Sequence, residues 1–242
     1  MDDRVDEITK LINEDKSLIN DLFINVCRYG HLDGAMFLLN YGKENGCEIN
    51  INAKDDNAFQ WACFKGHFDV VKFLLNYGKE NECEININMS DDFLFRWSCE
   101  RGRLEIVKYL LAYGKENGCD ININAKNDEA FRWACRFGHL EVAKFLLEYG
   151  KENGCEININ ALDDDAFRGV CEKGHFEIVN FLWDYGKENR CEIHINAKSD
   201  KAFRWACEEG HLEVVKFLSK QCGRYHIQFE DGKLIEWQVK GE

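Results

Sequence analysis

Five Cys-x-x-x-His pairs punctuate the sequence, at Cys27/His31, Cys63/His67, Cys135/His139, Cys171/His175 and Cys207/His211. Thiolate and imidazole together suggest zinc, which wants four converging ligands. Arg103 nevertheless replaces the histidine that should follow Cys99, without disturbing the residues around it. Trp61, Trp97, Trp133 and Trp205 form a second recurring set, with Gly169 in the same register. Such a ladder could bind bases or a peptide, or pack one element on the next. Both sets recur in steps of 36 residues, whereas a reactive site is normally built once, so the recurrence points to architecture. No phosphate loop, nucleophile elbow or His-Glu-x-x-His helix occurs, and the Lys of "GKENG" precedes rather than follows the glycine-rich run. The expectation is a protein with no catalytic residue, no metal site and no cofactor.

The elements that position these residues follow from the same period. Gly30, Gly66, Gly102, Gly138, Gly174 and Gly210 are each 36 apart, with Phe23, Phe59, Phe95, Phe131, Phe167 and Phe203 seven positions before them. A period between about 20 and 50 residues marks a solenoid, a propeller or an array. Phe131, Ala134 and Cys135 fall at i, i+3, i+4, and Leu140, Val142, Ala143, Leu146 and Leu147 form a second apolar stripe at helical spacing. Each unit is therefore a helix pair joined at the Gly turn. Asp56, Asp92, Asp128, Asp164 and Asp200 stand where a carboxylate would cap the first helix. The unbroken series Gly42, Gly78, Gly114, Gly150 and Gly186 is expected to supply a left-handed end to the second helix, in preference to the Gly46 position, which reads Gly, Glu, Gly, Gly, Arg. An extended finger follows, "CEININA". Val5, Ile8, Leu11 and Ile12 share one helical face, so residues 1–18 are expected to be an N-terminal capping helix. Residues 19–221 form six repeats, and residues 222–242 alternate about an Asp231-Gly232 turn as a β-hairpin cap.

The net charge of −13, from 31 Lys and Arg against 44 Asp and Glu, opposes nucleic-acid binding and fits either solubility or a basic partner. No run reaches the length of a bilayer span, and "MDDRVDEITK" lacks the layout of a secretory signal, so the reading is an intracellular, cytoplasmic, monomeric protein. All 12 Cys but Cys222 follow the repeat spacing. Equivalent positions in stacked helices sit roughly 10 Å apart, beyond disulfide reach, so free thiols are expected.

"NDEAFRWACRFGHLEVAKFLLEYG" resembles the ankyrin repeat at its Gly-His-Leu, its small Ala-Cys pair and its Leu-Leu-x-x-Gly helix end. The resemblance implies an all-α solenoid of stacked helix pairs with β-finger loops, non-catalytic and protein-binding. Glu129-Ala130-Phe131-Arg132 stands where the family has Thr-Pro-Leu-His, so that hydrogen bonding must be supplied otherwise. The unit is also longer than the family's by three residues, placed in Lys-Glu-Asn-Gly-Cys. Pro-free, Asn-, Ile- and Lys-rich arrays of this kind resemble the ankyrin families of giant amoeba-infecting DNA viruses, which would place the protein in host cytoplasm.

Positions that vary between otherwise near-identical units are free to serve a partner. They include the residues before Gly-His, which line the concave groove of the family, and the finger tips. The candidate surface is Phe64, Lys65, Met89, Phe93, Leu94, Glu100, Arg101, Arg136, Phe137, Leu162, Glu172 and Lys173. Met89, Phe93 and Leu94 replace Ala, a polar residue and Ala of the neighbouring units, and would form an exposed apolar patch beside Phe64, Phe137 and Leu162. Gly169 would leave a notch for Trp183. A scaffold for an unidentified protein partner is the main reading. An adaptor recruiting a host protein to a ubiquitin ligase is one alternative and a helical-repeat nucleic-acid binder another. An enzyme is a third, with His226 and scattered carboxylates of the hairpin as its only candidate groups.

Overall fold

A computed structural model describes residues 18–240 of the chain. The expected N-terminal capping helix, residues 1–18, lies outside the described residues except for Leu18, which opens the first described helix. Among those described there are twelve helices and one two-stranded hairpin. The helices pair as α1 (Leu18–Arg28) with α2 (Leu32–Glu44), α3 (Ala53–Lys65) with α4 (Phe68–Glu80), α5 (Met89–Glu100) with α6 (Leu104–Asn117), α7 (Ala125–Arg136) with α8 (Leu140–Asn153), α9 (Ala161–Lys173) with α10 (Phe176–Glu188), and α11 (Ala197–Glu208) with α12 (Leu212–Gln221). The hairpin is β1 (Tyr225–Glu230) with β2 (Lys233–Val239). Contacts divide the chain into two compact units, Met1–Ser98 with Glu105–Ile121, and Cys99–Leu104 with Asn122–Glu242.

Each unit is built on the same grammar. The six Phe of the first-helix register are fully buried, and the Cys four positions after each is buried as well. On the second helices the buried rows are Val70, Val71, Leu74 and Leu75 in α4 and Val142, Ala143, Leu146 and Leu147 in α8. The apolar stripes therefore face one another within a pair and across to the next, as stacked helix pairs require.

Two local expectations turn out differently. The Gly42 series lies inside the second helices, which run on to Glu44, Glu80, Asn117, Asn153 and Glu188. Those glycines are needed because the chain returns directly across them: a β-carbon on Gly150 would sit 2.7 Å from the Cys155 carbonyl oxygen. That close approach is held by a bond from the Cys155 N–H to the Gly150 carbonyl at 2.9 Å. The left-handed residue is the one rejected from sequence: Gly46, Gly118 and Gly154, with Glu82 and Arg190 adopting positive φ at the same place. The preceding asparagines finish the helix, Asn45 Nδ2 donating to the Tyr41 carbonyl at 2.9 Å and Asn153 Nδ2 to that of Tyr149 at 2.8 Å. The Lys-Glu of the inserted residues thus lengthens the helix rather than the loop.

The fingers form no strands among the described residues. Four of them are Asx turns, with the Asn52 N–H donating to Asn50 Oδ1 and the Asn124 N–H to Asn122 Oδ1, both at 3.0 Å; the finger at His194 has no Asx residue at that place. Next comes a left-handed turn. Lys54, Asp55 and Asp56 have φ of 55, 59 and 59°, and Lys126–Asp128, Leu162–Asp164 and Lys198–Asp200 repeat it. An L-residue there costs roughly 1–2 kcal/mol over the right-handed form, least for Asn and Asp, which accounts for the Asp in the third place of every tip. The Asp does not serve as the expected helix cap. Asp128 is buried and accepts from Asn124 Nδ2 at 2.6 Å and from the Asn158 N–H of the following finger at 3.4 Å. Asn124 Nδ2 also reaches the Glu156 carbonyl at 3.1 Å. These Asp and Asn side chains are rungs between consecutive fingers. Burial pushes the Asp56 and Asp128 carboxyls above their ordinary value, against the lowering pull of those hydrogen bonds.

Candidate functional site

The residues with chemical potential are spent on joining repeats. His67 Nε2 donates to the Arg28 carbonyl at 3.0 Å, and His211 Nε2 to the Glu172 carbonyl at 2.9 Å; His139 and His175 make the same bond to Glu100 and Arg136. Each ring lies on the turn glycine of the preceding repeat, where a β-carbon on Gly102 would come within 2.4 Å of His139 Nδ1. Burial lowers the pKa of His139 and His175, so both imidazoles are neutral donors near pH 7. The first-register thiols are equally withdrawn. Burial pushes Cys27 and Cys207 up to about 12 and raises Cys63, Cys99, Cys135 and Cys171 as well. A thiol so far from ionising is a poor nucleophile at neutral pH. All twelve Cys are unpaired, and no group of three or more His, Cys, Asp or Glu among the described residues is placed to hold a metal.

The Trp register packs against the preceding repeat. Arg28 lies over Trp61, 4.0 Å from its ring centre, and Phe64 meets Trp97 at 4.8 Å. In the first five variable pairs the residue before the exposed member is partly interior, while Glu208 of the sixth is exposed. The same geometry resolves the Gly169 notch, which is filled by Arg136, whose Cγ would be 3.2 Å from a β-carbon there, and not by Trp183. Arg136 then pairs with both oxygens of Glu172, at 2.8 and 2.7 Å. Trp183 instead packs edge-on to Phe217 at 5.8 Å.

The missing Thr-His bonding is supplied by the Arg of Ala-Phe-Arg. Arg132 Nε donates to the Asn127 carbonyl at 2.8 Å, its Nη2 to that of Lys126 at 3.1 Å, and its Nη1 to Asp165 at 2.6 Å. Arg168 clasps Asp163 and Leu162 in the same way. These clamps hold the left-handed tips in place.

The proposed surface residues fall into both units. In the first, Lys65 is exposed while Phe64, Met89 and Phe93 are half-buried, and Phe93 stacks on Trp97 at 4.5 Å. Leu94 is corrected: it is only 1 % exposed, because it takes the buried Ala58 position and fills the core. In the second unit Phe137 and Leu162 are 44 % and 50 % exposed. Arg101 and Lys173 are exposed, Glu100, Arg136 and Glu172 half-buried and paired. Tyr29, the most exposed aromatic at 61 %, occupies the position of Phe137 in the first repeat; its place in the variable pair Arg28-Tyr29 was the signal for it.

The hairpin closes the second unit. Tyr225 stacks on Phe203 with ring centres 4.0 Å apart and donates its hydroxyl to Asp200 Oδ1 at 2.7 Å, while Trp237 meets Phe203 edge-on. Burial, then the bond to Asp200, holds the Tyr225 phenol far above its usual range. Asp231 and Gly232 form the expected turn with positive φ. His226 is exposed on a strand with no carboxylate or nucleophile bonded to it among the described residues.

No described helix is long and apolar enough to cross a membrane. No curated protein matches the chain. A family profile described as ankyrin repeats (3 copies) matches residues 4–89 and 81–161, and the repeats beyond residue 161 keep the same buried Phe, turn Gly and finger Asp. With more than half its length matched and every described repeat built on one plan, the chain belongs to the ankyrin-repeat family.

Proposed function

We propose that this protein is a non-catalytic scaffold that binds a partner protein through the residues preceding its Gly turns and through its finger tips. Ankyrin repeats are generally protein-interaction modules, and the fold is typically non-catalytic. One observation carries the reading. The buried Phe and the turn Gly keep one residue type in all six repeats, whereas the exposed position before each turn Gly runs Tyr29, Lys65, Arg101, Phe137, Lys173, Glu209. A rigid surface orders little on binding, so a few anchors dominate. Phe137 and Leu162 are the anchors in the second unit and Lys65 and Phe93 in the first. Leu94 takes no part, and Arg136 contributes through its pairing with Glu172.

The test is capture from cells by wild-type protein and by a Phe93→Ser/Phe137→Ser double variant whose circular dichroism melt is preserved. Loss of one wild-type partner in the variant is the expected result. Identical capture by both would remove these positions from the interface.

A further inference from the structure

Tyr41, Tyr77, Tyr113, Tyr149 and Tyr185 hold one register of the second helix. Within the compact units such a ring is seated against the repeat before it. Tyr77 and Asn81 share a recess with Leu39, Lys43, Glu48 and Ile49, and Tyr185 and Asn189 share one with Leu147 and Lys151. The Tyr77 phenol is raised first by burial, then by Cys83 and Glu48, and that of Tyr185 by burial, then Cys191 and Glu156. Each hydroxyl therefore stands near a carboxylate of the preceding repeat.

The sixth repeat breaks the series. Gln221 occupies the tyrosine register, exposed at the last position of α12, and the chain then turns into the hairpin. The receiving wall of the fifth repeat is nevertheless intact. Trp183, Gly186, Lys187, Arg190, Glu192 and Ile193 line a recess of about 450 Å³, and none of them comes from the sixth repeat. Lys187, Glu192 and Ile193 stand in the registers of Lys43, Glu48 and Ile49. Trp183 stands where the earlier repeats have Leu39, Leu75, Leu111 and Leu147, so the apolar wall is widened in the one repeat whose slot the chain leaves open. Its half-buried ring meets Phe217 edge-on at 5.8 Å and carries the Lys187 ammonium 4.8 Å from a ring centre.

We propose that this recess receives a tyrosine side chain of a partner protein, seated as Tyr77 and Tyr185 are seated against the repeats before them. What fits the slot is shown by what the same chain places in its counterparts. The apolar body of a phenol matches Trp183 and Ile193, its hydroxyl can donate to the exposed Glu192 carboxylate, and the cations at the rim suit the face of an aromatic ring. An aliphatic side chain would offer neither the donor nor the ring. The recess is made by the end of α10 and the start of the following finger, shares no residue with the turn-and-tip surface proposed above, and does not depend on it.

The test titrates the full chain with N-acetyl-tyrosinamide, N-acetyl-phenylalaninamide or N-acetyl-leucinamide. The readout is the Trp183 indole N–H in NMR spectra, identified by its loss in Trp183→Leu. Tyrosinamide should give a saturable shift with a Kd of about 1 mM, phenylalaninamide should bind several-fold more weakly, and leucinamide should leave the resonance in place. Glu192→Ala should erase the preference for tyrosine over phenylalanine. Gln221→Tyr supplies the ring from the chain itself, so it should raise the thermal midpoint and abolish the shift. No saturable shift at about 10 mM tyrosinamide, equal binding of all three amides, or undiminished binding by Gln221→Tyr would overturn the proposal. Loss of binding in the Phe93→Ser/Phe137→Ser variant would place the amide on the other surface and overturn it as well.

Discussion

Replacing Gly150 with Ala sets two physical effects against each other inside α8. In a helix interior Ala is favoured over Gly by about 1 kcal/mol, so propensity alone predicts stabilisation. The new methyl, however, would lie 2.7 Å from the Cys155 oxygen and 3.4 Å from Ile123 Cδ1. The obstructing atom is backbone, and it can retreat only by stretching the Cys155 N–H bond to the Gly150 carbonyl. Overpacking of this kind costs about 1–3 kcal/mol and the hydrogen bond about 0.5–1.5 more. Net destabilisation of roughly 1–3 kcal/mol is expected. Gly154 is the control: its φ is +69° and nothing lies within 4 Å of its notional β-carbon. Gly154→Ala should cost about 1 kcal/mol and Gly154→Asn only a few tenths. Urea unfolding of the full chain, followed by far-ultraviolet circular dichroism, reads all three. A neutral or stabilising Gly150→Ala, or a Gly154→Asn as damaging as Gly150→Ala, would show that the assignment of close packing to one glycine and backbone handedness to the other is wrong.

Glu82 and Arg190 occupy the left-handed position that glycine fills elsewhere, with φ of 56 and 57°. Glu82→Gly and Arg190→Gly should each raise the thermal midpoint, by an amount corresponding to at most about 1 kcal/mol. Tyr225→Phe keeps the stack on Phe203 but removes the donor to Asp200, a loss of about 1.5–3 kcal/mol in chemical denaturation; a variant as stable as wild type would deny the hairpin its capping role. His139 and His175 have lowered folded-state pKa values. The stability that their neutral forms provide is complete above the unfolded value of about 6.5 and is lost as pH falls below it toward the folded value. His139→Gln should flatten the fall in urea midpoint between neutral and mildly acid pH, and an unchanged pH slope would count against a neutral His139.

The helix pairs, the hairpin and its turn were legible because each is encoded by neighbours in sequence: apolar residues at i, i+3, i+4, and alternation about Asp231-Gly232. What escaped were roles set by a partner that the local sequence pattern does not name. Asp128 has the right type and place for a helix cap, yet its backbone donor is Asn158, 30 residues on. The Gly42 series looked like a helix end because it never varies, but invariance followed from the approach of Cys47, Cys83 and their equivalents rather than from handedness. Leu94 looked surface-borne only because its counterparts are Ala, and an Ala position tells nothing about the room behind it. The pairing of Arg136 with Gly169 was invisible for the same reason, since the notch and its filling belong to different units of the period.

The hairpin's contacts with Asp200, Phe203 and Arg204 use side chains that most repeats already possess. Tyr225 engages Asp200 and Phe203, and Trp237 lies within 5.9 Å of both the Phe203 ring centre and the Arg204 guanidinium; Asp164, Phe167 and Arg168, or Asp128, Phe131 and Arg132, would present the same handholds. The hairpin's footing is thus indifferent to the number of modules before it. Whole 36-residue blocks can be gained or shed without redesigning that footing, and the length of the surface offered to partners becomes a quantity that duplication alone can set.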